Sequence, residues 1–214
     1  LIKGSQVALL SSTQVGSITT DRVASLTTAQ IASMTTDQIV GLVAAQLGAM
    51  ADKVSGLTAS QVSAIETADL TGLTTTQVES LSATQVKALT TAQIEKLSTA
   101  QFSAITASDL VSLNATQMKS LTTAQVAGIT TAQVAALTKD EVAGFTTSQV
   151  RALNTSQVQA LTTAALVSFT NAQIGAFDTA QVSKLTTMQA SALSGTQVAA
   201  LSSSQVNALT TAQV

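Results

Sequence analysis

Large apolar residues recur along this chain at a fixed interval of eight. Starting from Leu57 they fall on Ile65, Leu73, Leu81 and onward to Leu209, and starting from Ile2 they fall on Leu10, Ile18, Leu26, Met34, Leu42 and Met50. A single seven-residue unit, 50–56, joins the two series. The chain divides into 27 units, the last cut at Val214, with no linker between them. Position one is large and apolar in all 27, position five is Gln in 21, and position two is Thr, Ser, Asn or Asp in 23. Position six is apolar almost throughout, with Ala190 the weakest and Val54 filling it in the short unit. Position eight is Ala, Ser or Gly except at Leu9, Lys96 and Lys184. The reading is one array over residues 1–214, irregular only at 50–56.

The period decides between folds. An α-helix turns about 100° per residue, so eight residues overshoot two turns by about 80° and the apolar pair would spiral around one long helix. A single helix or coiled coil is therefore excluded. Strand residues alternate with period two, and positions one and six have opposite parity, so a flat sheet fails too. A β-solenoid survives as an alternative, because a corner can change parity. Disorder fits poorly with 45% hydrophobic content at fixed spacing and no proline.

The polar positions favour short helices. Thr-Thr-Ala-Gln has the S/T-x-x-Q form of a capping box, with Thr at the N-cap and Gln three residues on. Position one then falls just before the cap and position six at N4, where a hydrophobic staple packs. Cap, box and staple account for four of eight positions with one assignment. Glu141 supplies the box acid in Thr138-Lys139-Asp140-Glu141, and Asp69 and Asp109 sit in first turns, where the helix dipole favours them. The expectation is an all-α solenoid of very short capped helices, one per eight-residue repeat. Helices of about six residues are unstable alone, so stability must come from stacking, with small residues at position eight letting backbones approach. Two units per superhelical turn is the expected packing. The short unit lacks both Thr and Gln, and is the expected place for a kink or register change.

Composition narrows the chemistry. There is no Cys, His, Trp, Tyr or Pro, and nine basic against eleven acidic residues leave a net charge of −2. That removes thiolate and imidazole catalysis, the commonest metal ligands and any basic field for nucleic acid. No apolar run is long enough to cross a bilayer. The mixed-sign cluster Lys139-Asp140-Glu141 reads as solvated surface, and the Ser183–Lys184 pair as chance in a Ser-rich chain. Asn114-Ala115-Thr116 and Asn154-Thr155-Ser156 match a glycosylation sequon, but both Asn sit at the cap position. Phe102, Phe145, Phe169 and Phe177 fall on core positions. Gln at position five reads first as a capping residue, with stacked amide ladders as a further role. Catalytic, cofactor-binding and metal-ligating residues are expected to be none, and the protein is read as no enzyme.

Units such as Leu-Thr-Thr-Ala-Gln-Val-Ala-Gly at 121–128 resemble the Thr/Gln-rich octapeptide arrays of large bacterial secreted and surface proteins, often labelled adhesin-like. That resemblance implies an extracellular or cell-surface stalk or fibre-forming region and carries over no binding residue. The chain starts at Leu1 and stops within a unit, which reads as a segment of something longer. The leading expectation is a structural repeat protein: a rod, stalk, self-assembling filament or surface layer whose partners are other copies stacked head to tail. The alternative is a surface-binding module for ice or a glycan that uses rows of position-three Thr. That row is broken at Ala44, Ala59, Ala83, Ala107, Ala115, Lys139 and Gly195.

Overall fold

The structure, a computed structural model, describes residues 4–7 and 9–213. Ile2 and Val214, the first position-one and last position-six residues expected in the core, lie outside the described residues. Among the described residues there are 24 α-helices and two 3-10 helices, each of four to six residues, and no strand. The all-α solenoid holds and the β-solenoid does not. Contacts divide the chain into two compact units, Leu1–Ser112 and Leu113–Val214. Both are built alike.

Most eight-residue units form one helix from position three to position seven or eight, as in Thr75–Glu79 and Thr91–Lys96, while Ala107–Leu110 and Lys139–Val142 stop at position six. Position two is the N-cap in extended conformation, Thr90 having φ −72° and ψ 159°. Where a helix runs to position eight, the next position-one residue is generally extended as well, Leu97 having φ −58° and ψ 134°, with Met50, at φ −68° and ψ −15°, an exception before the short unit. Most position-one and position-six residues are buried, and most of position five joins them; Leu97 is 4% exposed, Ile94 0% and Gln93 1%. The four Phe are all core, and Phe169 meets Phe177 edge-on with ring centroids 6.0 Å apart.

The expected two units per turn is wrong. Helices stack on the helix three units further along: Ala59–Ala64 on Ala83–Ala88 in the first compact unit, Thr131–Ala136 on Thr155–Ala160 in the second. Consecutive helices make little contact, Ala44–Ala49 against Ala51–Gly56 being an exception. The extended residues between helices are the cause. They carry the chain away from the helix just finished, so it opens into a wider coil instead of folding back as a hairpin.

Position eight does let backbones approach. A Cβ on Gly72 would collide with the carbonyl oxygen of Ala44, and one on Gly144 with that of Ala115, each three units earlier. The seven-residue unit forms the 3-10 helix Ala51–Gly56 with Val54 fully buried, as assigned. Its entry residue Ala51 has φ 51°, a left-handed conformation that costs a non-Gly residue about 1–2 kcal/mol. The irregularity is local, because the cross-turn hydrogen bonds described below return to register by Gln85.

Gly72→Ala or Gly144→Ala should each destabilise the fold by about 1–3 kcal/mol, since two backbones must separate. Gly195 has nothing within 4 Å of where its Cβ would stand. Gly195→Ala should therefore be neutral or stabilising by up to about 1 kcal/mol. Urea denaturation of the three variants checks the contrast, and equal effects would mean the close approach is not limiting.

Candidate functional site

The repeated polar centre is the position-five glutamine. Its local role follows from the capping box. In the helix Thr91–Lys96, the Gln93 N–H donates to Thr90 Oγ1 at 3.2 Å, and the Thr90 N–H donates to Gln93 Oε1 at 2.9 Å. Two helix-start donors are satisfied by each other's side chains. Asn114 and Asn154 cap in the same way, accepting from the Gln117 and Gln157 N–H groups at 3.0 and 2.9 Å. Both sequon asparagines are thus committed to helix starts.

With Oε1 spent on the cap, Nε2 still carries two protons and points across to the preceding turn. Gln93 Nε2 donates to the carbonyl oxygens of Val62 at 2.9 Å and Ile65 at 2.8 Å, residues 31 and 28 positions earlier. A longer contact of 3.4 Å reaches Ser63. Those carbonyls belong to the end of the helix Ala59–Ala64 and the extended residue after it, where helical partners run out. Gln157 repeats the pattern on Val126 and Ile129 at 3.0 and 2.7 Å. Gln189 does so on Val158 and Leu161 at 3.0 and 2.7 Å. One amide therefore starts its own helix and finishes one from the turn before. The octapeptide pattern does not predict this cross-turn role. The amides bond backbone carbonyls rather than each other, so the expected amide ladder takes a different form.

Units without Gln show what the position demands. Lys53 fills it in the short unit and its ammonium donates to the Ala24 carbonyl oxygen, a cross-turn tie without an amide. Asp69 is too short for the same reach. Its Oδ1 instead accepts from the N–H of Ala44 at 2.8 Å, at the start of a helix whose N-cap, Val43, has no side-chain acceptor. The first-turn role expected of Asp69 is thus partly played at another helix. Asp109 stays local, accepting from Thr106 Oγ1. Glu141 supplies the box acid as expected, accepting from the Thr138 N–H at 2.8 Å and Thr138 Oγ1 at 2.7 Å. It is 4% exposed and lacks the amide protons with which Gln reaches across the turn. Ala165 offers neither cap acceptor nor cross-turn donor, and it too is buried.

Other sequence candidates stay apart from any such centre. Ser183 Oγ donates to the Ala180 carbonyl at 2.8 Å and Lys184 is exposed, so they form no nucleophile pair. Lys139 and Asp140 are exposed. A cavity of about 350 Å³ lies beside Ala51 and Asp52, walled by Gly48, Thr74, Thr76, Gln77 and Ser80. Among the described residues no group of three His, Cys, Asp or Glu side chains could hold a metal ion, and no helix is long and apolar enough to cross a membrane.

Two substitutions separate the halves of the glutamine's work. Gln157→Glu keeps the cap acceptor but removes the cross-turn donor, and should cost about 1–3 kcal/mol by leaving buried carbonyls unmatched. Ala165→Gln adds both halves, with Val134 and Leu137 standing 31 and 28 positions earlier as in the other units; it should gain about 1–2 kcal/mol. Thermal and urea unfolding read both, and a neutral Gln157→Glu would reduce the cross-turn bonds to bystanders.

The ALTTAQ repeat family model matches residues 62–99, 102–139 and 159–187. A comparison with curated proteins gives no match. With the capped helices and their cross-turn glutamines in view, the chain is an array of Thr/Gln-rich octapeptides that is similar, over those three segments, to the ALTTAQ repeat.

Proposed function

We propose that this array is a non-enzymatic structural segment: a stalk, rod or filament-forming region of a secreted or cell-surface, adhesin-like bacterial protein. One observation carries the reading. Among the described residues, the buried polar side chains are position-five glutamines and Glu141, and no buried side-chain nitrogen or oxygen lacks a hydrogen-bond partner. Polar groups in the interior are engaged in holding the fold. The resemblance of the octapeptides to repeats of large surface proteins supports an extracellular setting. Antibody raised against the array should label intact source cells, and external protease should remove the label. Labelling only after lysis would overturn the surface assignment.

A second reading, a surface-binding module for ice or a glycan, is favoured by one detail of the stacking. In the second compact unit the helices Thr131–Ala136, Thr155–Ala160, Thr179–Ser183 and Ser203–Asn207 lie one on the next. Their position-three residues, Thr131, Thr155, Thr179 and Ser203, thus form an aligned hydroxyl row at the surface. The alanine breaks are sorted too, since Ala59, Ala83 and Ala107 fall in one stack of the first unit. Thermal hysteresis of the purified chain, lost on Thr155→Lys, would support ice binding.

A further inference from the structure

We propose that Asn114 and Asn154 carry N-linked sugars, attached to side-chain nitrogens that the helix caps leave unused. The inference goes beyond the structural reading above and is tested apart from it.

The cap uses one end of each amide. Asn114 Oδ1 accepts from the Gln117 N–H at 3.0 Å, and Asn154 Oδ1 from the Gln157 N–H at 2.9 Å. Asp178 caps its helix in the same way, its Oδ1 accepting from the Gln181 N–H at 2.7 Å. A carboxylate does the work as well as an amide, so the amide nitrogen is surplus to the cap. Among the described residues neither Nδ2 has a hydrogen-bond partner. Both asparagines are exposed, and so are Thr116 and Ser156, the residues two positions on that complete the sequon.

Asparagine differs here from the other caps. At a Thr or Ser cap, the atom that accepts the hydrogen bond is also the only side-chain atom a sugar could join. Asparagine separates the two functions, because Oδ1 holds the cap while Nδ2 stands free to react. The chain's other asparagines, Asn171 and Asn207, are exposed too, but two positions on they have Gln173 and Leu209 in place of a hydroxyl.

The co-reactant is a glycosyl diphosphate, linked to a nucleotide or a lipid, with a transferase of the source cell. Nδ2 attacks the anomeric carbon, and the nitrogen–carbon bond forms as that carbon's bond to the diphosphate oxygen breaks. The diphosphate leaves with the electron pair, and one Nδ2 proton passes to a base of the transferase. The product is still an amide, with Oδ1 unchanged, so the cap persists. Sugars would also add solvation to a chain in which only 9% of residues are charged.

The test is mass spectrometry of peptides from the protein purified from its source cells. Sugar on Asn114 and Asn154 and none on Asn171 and Asn207 is expected. A single sugar residue would point to the nucleotide-linked donor, and a preassembled block to the lipid-linked one. Thr116→Ala keeps the asparagine and its cap but should abolish the sugar on Asn114 while leaving that on Asn154. An unmodified asparagine at either position overturns the proposal for that site, and sugar persisting on Asn114 in Thr116→Ala overturns the sequon as its cause. Enzymatic release of the sugars, which leaves aspartate behind, should hardly move Tm. A shift of about 2–4 °C or more, the equivalent of one cap, would mean that the sugar displaces the cap. None of these results bears on the cell-surface reading, which keeps its own labelling experiment.

Discussion

The fold depends on one amide. A helix of five or six residues satisfies almost none of its own terminal groups, because the first four N–H and last four C=O groups have no partner within it. In this array both ends of every helix would otherwise face the core or a neighbouring turn. The position-five glutamine resolves the problem at both ends with one side chain. Its Oε1 and backbone N–H close the start of its own helix, and its Nε2 closes the end of a helix 28 to 31 residues earlier. Glutamine is the residue that fits, carrying an acceptor and two donors on one planar group with a stem long enough to cross a turn.

The exceptions support this division of labour. Lys53 donates across the turn but accepts nothing, and it occurs in the unit that has lost a residue and forms a 3-10 helix. Glu141 accepts but does not donate, and its helix, Lys139–Val142, has only four residues. Asp69 reaches across a turn in the opposite chemical sense, accepting a helix-start N–H that Val43 leaves uncapped. Lys53, Asp69, Asp109 and Glu141 thus each coincide with a four-residue or 3-10 helix, whereas Arg22 and Ala165 sit in five-residue helices like those of Gln units.

Much of this was legible from the chain alone. The period of eight excludes a long helix, and Thr-x-x-Gln with flanking apolar residues locates its helix within a residue, as at Thr91–Lys96. Those signals are local, acting over three or four residues, and the helices form where they point. The number of units per turn was not legible, because it depends on how the extended residues at positions one and two redirect the chain, and on which distant helix presents small residues to receive it. Nor does the sequence reveal the glutamine's second role. A single box glutamine looks the same whether its Nε2 meets water or a carbonyl 31 residues away. The signal available was quantitative: many helices tolerate Ser, Thr, Asn or Asp at the cap, yet 21 of 27 units keep Gln three residues later. A residue needed only for the box could be Glu more often.

Stability distributed in this way is a nearest-turn property. Each added turn gains position-six burial from the turn it covers and hydrogen bonds to carbonyls that were waiting for it. The turn that has just been added presents the same valines and carbonyls again. An interior turn and an edge turn differ only in whether that second set is met, as the 0% exposure of Val182 and the 41% exposure of Val206 show. The interaction that builds the fold therefore has no natural stopping point within the repeat. Length and termination must be set by something other than the octapeptide.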